Sequence, residues 1–547
     1  MTTKRPPELI LRGDVFTVDP RRPWAEALAV RDGRILAVGS ANEVDALAGA
    51  GTQTVDLPGS LILPGFQDSH VHPPHAGLER MRCDLNDARR PDDYAPTIRE
   101  YATSHPDEPW ILGGGWALDH FPGGTPDRTM LDELVPDRPA FLVNRDGHGA
   151  WVNTRALEMA GLDAHSPDPP DGRIERDPDG RPSGTLHEGA MNLVDRLVPP
   201  VTDEQMQRAL LTAQEHLHSL GITAWQDAWV HEDTLAAYRV LAADGRLTAK
   251  VVAALWWERD QGEEQVDTLL ERRATAPEGR LRATSVKIMQ DGIVENFTAA
   301  MLTPYLRGDD PSDGSGISFV EPGALKRYVT RLDGEGFQVH VHAIGDRAVR
   351  EALDAFEAAR EANGPNDHRH HIAHLQVVHP DDVPRFARLG VVANCQPYWA
   401  CLDSQMRELN LDVLGPERVA TQYPFASLEG SGARLAFGSD WSVSTANPLH
   451  EMQVAVTRIP FDEPDIEPFL PHERLDLATA IEAFTMGTAF VNHLDHETGS
   501  LTVGKLADIA VLDRNPLAGD PERVGQARVV LTLVEGRPVF SDPSVSW

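Results

Sequence analysis

Cysteine is nearly absent. Cys83, Cys395 and Cys401 are an odd set without CxxC spacing in a chain of 547 residues, which reads as reduced thiols in a cytoplasmic protein and excludes a fold stapled by disulfides. Long apolar runs are missing too. No window approaches the ~18 uninterrupted apolar residues of a membrane span, and Met1 to Arg12 lacks the apolar core of a signal peptide. Positive charge is scarce: 50 Lys and Arg stand against 84 Asp and Glu, for a formal charge of −34. Such a surface repels phosphate backbones and anionic headgroups, so neither nucleic acid nor a membrane is an expected partner. A small-molecule substrate is, with a homodimer as the other expected association. Lysine occurs five times, at Lys4, Lys250, Lys287, Lys326 and Lys505. Lys287 lies inside an apolar, strand-like run, where a lone ammonium is costly.

What remains is a globular chain, 41% apolar and 24% charged. Both ends read as short strands and turns. Near the start these are Glu8 to Val18, Ala27 to Arg31, Arg34 to Val38 and Gln53 to Asp56, with Asp32-Gly33 as a hairpin turn. Near the end they are Ala507 to Leu512, Val529 to Val534 and Arg537 to Phe540, turned by Glu535-Gly536. The middle alternates strand-like runs with amphipathic stretches such as Thr202 to Ser219, Glu321 to Glu335 and Asp346 to Ala362. The strands expected are Ile62 to His72, Ile222 to Asp227, Ala249 to Leu255, Thr284 to Met289, Phe337 to His342, His370 to Leu375, Val391 to Gln396 and Arg434 to Asp440. Eight such units predict an α/β fold, a (β/α)8 TIM barrel over 61–496. A β-sandwich module built from both termini (1–60 and 497–547) is expected beside it. The long gap after the first strand predicts an inserted lid over 78–220.

The strongest local signal is Asp68-Ser69-His70-Val71-His72. Residues i and i+2 of a strand share a face, so His70 and His72 point two imidazoles into one space at the barrel mouth. Lys287 must lose its proton, find a partner or be modified. His342 ends the fifth strand, and Asp346 is expected to cap the helix that follows. His374 belongs to the sixth strand and Asp440 to the eighth. Metal-competent side chains thus fall at the ends of strands 1, 4, 5, 6 and 8, too regular a placement for scattered core or surface residues.

Order and spacing resemble the metal-dependent amidohydrolase superfamily, and more closely its third subfamily, the YtcJ-like proteins that include N-substituted formamide deformylases. The likeness runs through Leu63-Pro64-Gly65-Phe66-Gln67-Asp68-Ser69-His70-Val71-His72, Gly113-Gly114-Gly115-Trp116 and Asp146-Gly147-His148-Gly149-Ala150-Trp151-Val152-Asn153. It continues with Val286-Lys287, Asp291-Gly292, His342-Ala343-Ile344-Gly345-Asp346, Gly438-Ser439-Asp440-Trp441 and the tail from Gly499 to Asp508. The resemblance implies one or two divalent metals, zinc before others. His70 and His72 would hold one, His342 and His374 the other, with Lys287 bridging as N6-carboxylysine and Asp440 beside the nucleophilic water. His371-Ile372-Ala373-His374 departs from the subfamily, which often has Glu before the histidine. His340 and His371 are spare imidazoles, each able to replace a ligand or to orient one.

A metal-bound water is acidified toward neutrality. Asp440 can take its proton and pass it to a leaving amine, which makes Asp440 and His342 the candidate catalytic residues. The expected reaction is hydrolysis of a non-peptide C–N bond, an N-substituted formamide first. A carbamate, a cyclic amide, an ester, an isomerisation or decarboxylation, and a non-catalytic barrel stand as alternatives. Trp116, Phe297, Tyr305, Tyr398, Trp399 and Trp441 predict a partly aromatic pocket, unless half or more of them simply pack the insertion onto the barrel. Of these, Trp116, Tyr398, Trp399 and Trp441, with His148 and Glu188 of the insertion, are the candidate substrate contacts.

Overall fold

The computed structural model describes residues 5–86, 88, 90–276, 279–306 and 314–545. Eight parallel strands form one sheet in chain order: β1 (Phe66–Val71), β2 (Ile222–Val230), β3 (Lys250–Trp256), β4 (Leu281–Met289), β5 (Gln338–Ala343), β6 (His371–His374), β7 (Val392–Cys395) and β8 (Leu435–Phe437). Both faces of these strands are largely buried, even where polar and apolar side chains alternate, as Gln338, His340 and His342 do with Val339, Val341 and Ala343 in β5. The sheet curls until its edges meet. Just past β8, Asp440 N donates to His70 O at 2.7 Å, and His72 N donates to Trp441 O at 2.9 Å. The ring therefore closes through the residues expected to carry chemistry.

That closure depends on Gly438. A Cβ there would stand 2.5 Å from His70 N and 2.7 Å from His70 Cβ. Gly438→Ala is expected to cost about 1–3 kcal/mol of stability by forcing β1 and β8 apart. It should also displace His70. Urea unfolding with metal content measured on the same sample checks both effects.

The first expected strand, Ile62 to His72, is in fact two. Gln53–Pro64 belongs to a seven-stranded sheet, and the chain enters the barrel only at Phe66. At the junction, Gly65 packs so close to Thr223 that a Cβ would come within 2.5 Å of its Cγ2. A hydrophobic run does not reveal where one sheet hands over to another.

The terminal module has the expected composition. Gln53–Pro64 pairs in parallel with Leu9–Phe16 and antiparallel with Ile509–Leu512. Leu9, Leu11, Val15, Leu28 and Val30 share a core with Ile509, Val511, Leu531 and Leu533. Both hairpin turns form as the sequence indicates. Asp32 and Gly33 have φ of 52° and 74°, Glu535 and Gly536 of 51° and 72°, the paired positive values of a type I′ turn. Lys250, at the start of β3, is accounted for here: its Nζ lies 2.7 Å from Asp508 Oδ2, a buried ion pair between barrel and terminal sheet.

The insertion contributes a six-stranded mixed sheet ordered Gly172–Arg176, Pro182–Glu188, Gly149–Val152, Ala140–Asn144, Ile111–Trp116, Cys83–Asp84. Its core residues Leu85, Tyr94, Trp116 and Trp151 pack with Ile293, Val294, Ile344 and Val377, which follow β4, β5 and β6. The inserted sheet thus sits on the barrel mouth. The helix Asp203–Ser219 does not belong with it: Met206, Ala209, Leu210 and Leu217 join the barrel core. Asp346 also departs from expectation. Gly345 is the cap position, and the Asp346 carboxylate instead accepts from Leu302 N at 2.8 Å.

Candidate metal centre

His70 lies near the end of β1 and His72 just past it, and the closing segment after β8 brings Asp440 beside both. Asp440 Oδ1 lies 2.8 Å from His72 Nε2 and 3.3 Å from His70 Nε2. One donor atom from each of the three residues falls within 4.8 Å of the others. His374 Nδ1 stands 3.8 Å from Asp440 Oδ2. His374 and Asp440 have φ of 82° and 54°, left-handed values that cost non-glycine residues energy and that collect at functional sites.

The register of the barrel places the rest of the constellation. Lys287 pairs with His340, Met289 with His342, and Ala343 with His374. The rings of His342 and His374 lie 4.4 Å apart, and those of His70 and His374 4.7 Å. Lys287 is buried, and among the described residues no carboxylate is within ion-pair reach of its Nζ. Burial pushes its pKa down to about 7.

Burial likewise pushes His70 down to about 3 and His342 and His374 well below the usual imidazole range, so these rings are neutral and have lone pairs to give. Burial works the other way on Asp440, but His70 and His72 outweigh it and hold the carboxyl well below its ordinary value. Among the described residues, the buried Nδ1 of His72 and both ring nitrogens of His374 have no hydrogen-bond partner. Unsatisfied buried donors and acceptors are rare unless an ion or water completes them. Neutral imidazoles and an ionised carboxylate converging with unfilled valence fit a divalent cation, and the donor types suit zinc.

The neighbouring groups orient these donors. Asp291 accepts from His342 Nδ1 at 3.1 Å, from Ile344 N and Gly345 N at 3.0 and 2.8 Å, and from Ala300 N at 2.9 Å. His342 therefore turns Nε2 inward. Asp68 accepts from His70 N and Ser439 N, at 3.0 and 3.1 Å, and from Ser439 Oγ at 2.5 Å, tying β1 to the segment after β8. The spare histidines are engaged by neighbouring side chains. His340 has both nitrogens engaged, with Gln226 and His70. Asn394 Nδ2 donates to Ser69 O and to His371 Nδ1, which leaves the His371 proton on Nε2 and no lone pair for a metal.

The expected substrate contacts divide. His148 Nδ1 lies 2.9 Å from Glu188 Oε1, and its ring is 5.6 Å from that of His342. Glu188 also accepts from Asn296 Nδ2 and Thr298 Oγ1, at 3.1 and 2.9 Å. Burial opposes ionisation of Glu188, but His148, Asn296 and the charge of Arg259 bring its pKa down to about 2. Trp399 stacks on His374 at 5.4 Å, and Tyr398 is held by its backbone N donating to Glu451 at 2.8 Å. Trp441 faces His216 at 4.8 Å and gives its carbonyl to His72. Trp116 is a correction. It is fully buried in the insertion, packed on Phe121 and Trp151 with Nε1 donating to Leu142 O, so it braces the lid rather than touching substrate. Tyr305 is also core, its hydroxyl donating to Ala299 O. Trp229 was missed. It is 39% exposed and meets His72 edge-on at 6.1 Å and Trp256 at 5.7 Å, an aromatic wall beside the metal donors.

The chain is similar to known proteins over nearly its whole length. Residues 53–540 match the model of the amidohydrolase family. The protein LONG AFTER FAR-RED 3 of Arabidopsis thaliana is 33% identical over 97% of this chain and 91% of its own length. An N-substituted formamide deformylase of Arthrobacter pascens is 28% identical over 96% of this chain and 97% of its own. Among solved structures, an uncharacterized metal-dependent hydrolase from Pyrococcus horikoshii superposes with a TM-score of 0.73 at 27% identity, covering 94% of this chain and 99% of that one.

Proposed function

The chain belongs to the amidohydrolase family, and on that premise we propose that it hydrolyses the C–N bond of a small amide, an N-substituted formamide before others. The observation that carries this reading is the convergence of His70, His72, His374 and Asp440 at the barrel mouth, with both ring nitrogens of His374 lacking a partner among the described residues. A divalent metal held there, zinc by the donor set, supplies an acidified water and an electrophile for the carbonyl oxygen.

The chain's own residues do the rest. Asp440, ionised and fixed by the barrel closure, accepts the proton of the attacking water on its carboxylate. It then returns that proton to the amide nitrogen, so that the C–N bond breaks to a neutral amine and formic acid. His342, held by Asp291, keeps a fixed orientation beside His374. Lys287 has a nucleophilic, largely desolvated amine. Its addition to carbon dioxide would form an N–C bond, release a proton and leave a carbamate, an anionic oxygen donor of the kind a divalent cation takes. The inserted sheet over the mouth restricts the site to small molecules, and Trp229, Trp256 and Trp399 favour an apolar substituent on the nitrogen.

The test is formate release from a panel of N-alkyl and N-aryl formamides by zinc-reconstituted enzyme, beside matched carbamates, lactams and esters. The expected result is turnover of at least one formamide with kcat/KM of about 10⁴ M⁻¹s⁻¹ or more. Failure on every formamide with turnover of another class would move the substrate; failure on all classes by metal-loaded protein would overturn the hydrolase reading.

A further inference from the structure

Two main-chain carbonyls, far from the mouth, decide which nitrogen of His70 carries the proton. Gln338 Nε2 donates to Arg369 O at 2.9 Å and to Val491 O at 2.6 Å. A carbonyl cannot donate, so this amide has one orientation, with Oε1 turned to Gln226. Gln226 Nε2 donates to that oxygen and to Asn492 Oδ1, each at 3.0 Å. With its nitrogen committed twice, Gln226 presents Oε1 to His340 Nδ1 at 2.7 Å. An amide oxygen only accepts, so His340 carries its proton on Nδ1 and offers the Nε2 lone pair. The partner of that lone pair is His70 Nδ1, 2.9 Å away. His70 must donate from Nδ1, which leaves its own lone pair on Nε2, the atom among the metal donors. Gln226, Gln338, His340 and His70 are all buried, and an imidazolium at His340, which has no carboxylate within ion-pair reach among the described residues, carries the full cost of a buried ion.

The geometry points to Gln226 and His340 as positioning residues that lock His70 in the Nδ1–H tautomer and so keep Nε2 available to a divalent cation. This rests on the metal-centre reading above and adds to it a set of residues outside the ligand shell. The relay is anchored in backbone, so it cannot invert by a side-chain flip. Loss of Gln226 frees the His340 ring to exchange tautomers, and loss of His340 frees His70.

The test is zinc affinity, measured by competition with a chromogenic chelator on full-length protein. His340→Leu removes the acceptor, whereas His340→Gln places an amide oxygen near the former Nε2. Gln226→Leu acts one residue further out and remains informative should His340→Leu not fold. Thermal unfolding of the metal-free proteins separates general damage from a metal-specific effect. The expected result is zinc binding weakened about 10- to 100-fold in His340→Leu and about tenfold in Gln226→Leu, with His340→Gln within about threefold of the parent. Parental affinity in His340→Leu or Gln226→Leu would overturn the relay, as would a His340→Gln protein as weak as His340→Leu. A parent protein that takes up no zinc would instead overturn the metal reading, and the relay with it; the two failures are therefore distinct.

Discussion

Asp440→Asn is expected to lower kcat by about 10³-fold at saturating zinc while leaving KM within a few-fold. The carboxylate lies beside both His70 and His72, and its backbone is pinned by the bond from Asp440 N to His70 O. Asparagine keeps the size and that bond but cannot take a proton from water at neutral pH. It also makes a poorer ligand than a carboxylate, so the comparison is made with metal in excess and with bound metal measured on the assayed sample. A loss confined to kcat identifies proton transfer as the missing step. A variant that recovers to within tenfold of the parent once zinc is saturating would show that the carboxylate serves only to hold the ion. The same experiment bears on the non-catalytic alternative, because a binding protein has no kcat to lose.

The barrel was legible because strand-like runs recur eight times, many of them separated by helices of readable periodicity. Boundaries were less so. Ile62 to Pro64 and Phe66 to Val71 read as one extended strand and meet at a single glycine, and the local pattern does not mark one as terminal sheet and the other as barrel. The helix Asp203–Ser219 lay in the insertion by position alone, since its apolar face fits either core. Such assignments depend on contacts between residues far apart in the chain, which periodicity does not encode.

The metal donors were legible for a related reason. His-x-His at a strand end and Asp after a strand are local patterns, and the mouth of a parallel barrel gathers strand ends. The groups that orient them are not local. Gln226, Gln338 and Asn492 are three amides, 226 to 492 in number, with no pattern to join them. Asp291 and Asp68 lay within recognised motifs but without a role until their partners were visible. Trp229 was within reach: the second strand runs to Val230, three residues past the expected Asp227, and a correct end would have set this ring at the mouth. Trp116 failed in the opposite direction. A tryptophan after three glycines is compatible with a pocket wall, yet its indole N–H finds Leu142 O inside the lid.

Lys287→Ala is expected to remove at least one bound metal per chain and to lower activity by about 10³-fold or more, the scale expected when a metal that acidifies water is lost. An ammonium is no ligand, so the residue contributes to a cation site only after losing charge, and burial has already moved its pKa down to about 7. The sign of the pH effect follows. Lowering a lysine pKa enlarges the neutral, nucleophilic fraction above that value and leaves the charged, unreactive form below it. At fixed dissolved carbon dioxide, carbamate formation on metal-free protein should therefore be about tenfold faster at pH 8 than at pH 6. Uptake of ¹³C-labelled carbon dioxide, read by NMR in the parent and absent in Lys287→Ala, measures it directly. A short carboxylic acid should restore part of the metal and the activity to the alanine variant, because it returns an anionic oxygen donor to the vacated volume. Metal content unchanged by the substitution would assign Lys287 an electrostatic role and leave His70, His72 and Asp440 to hold a single ion.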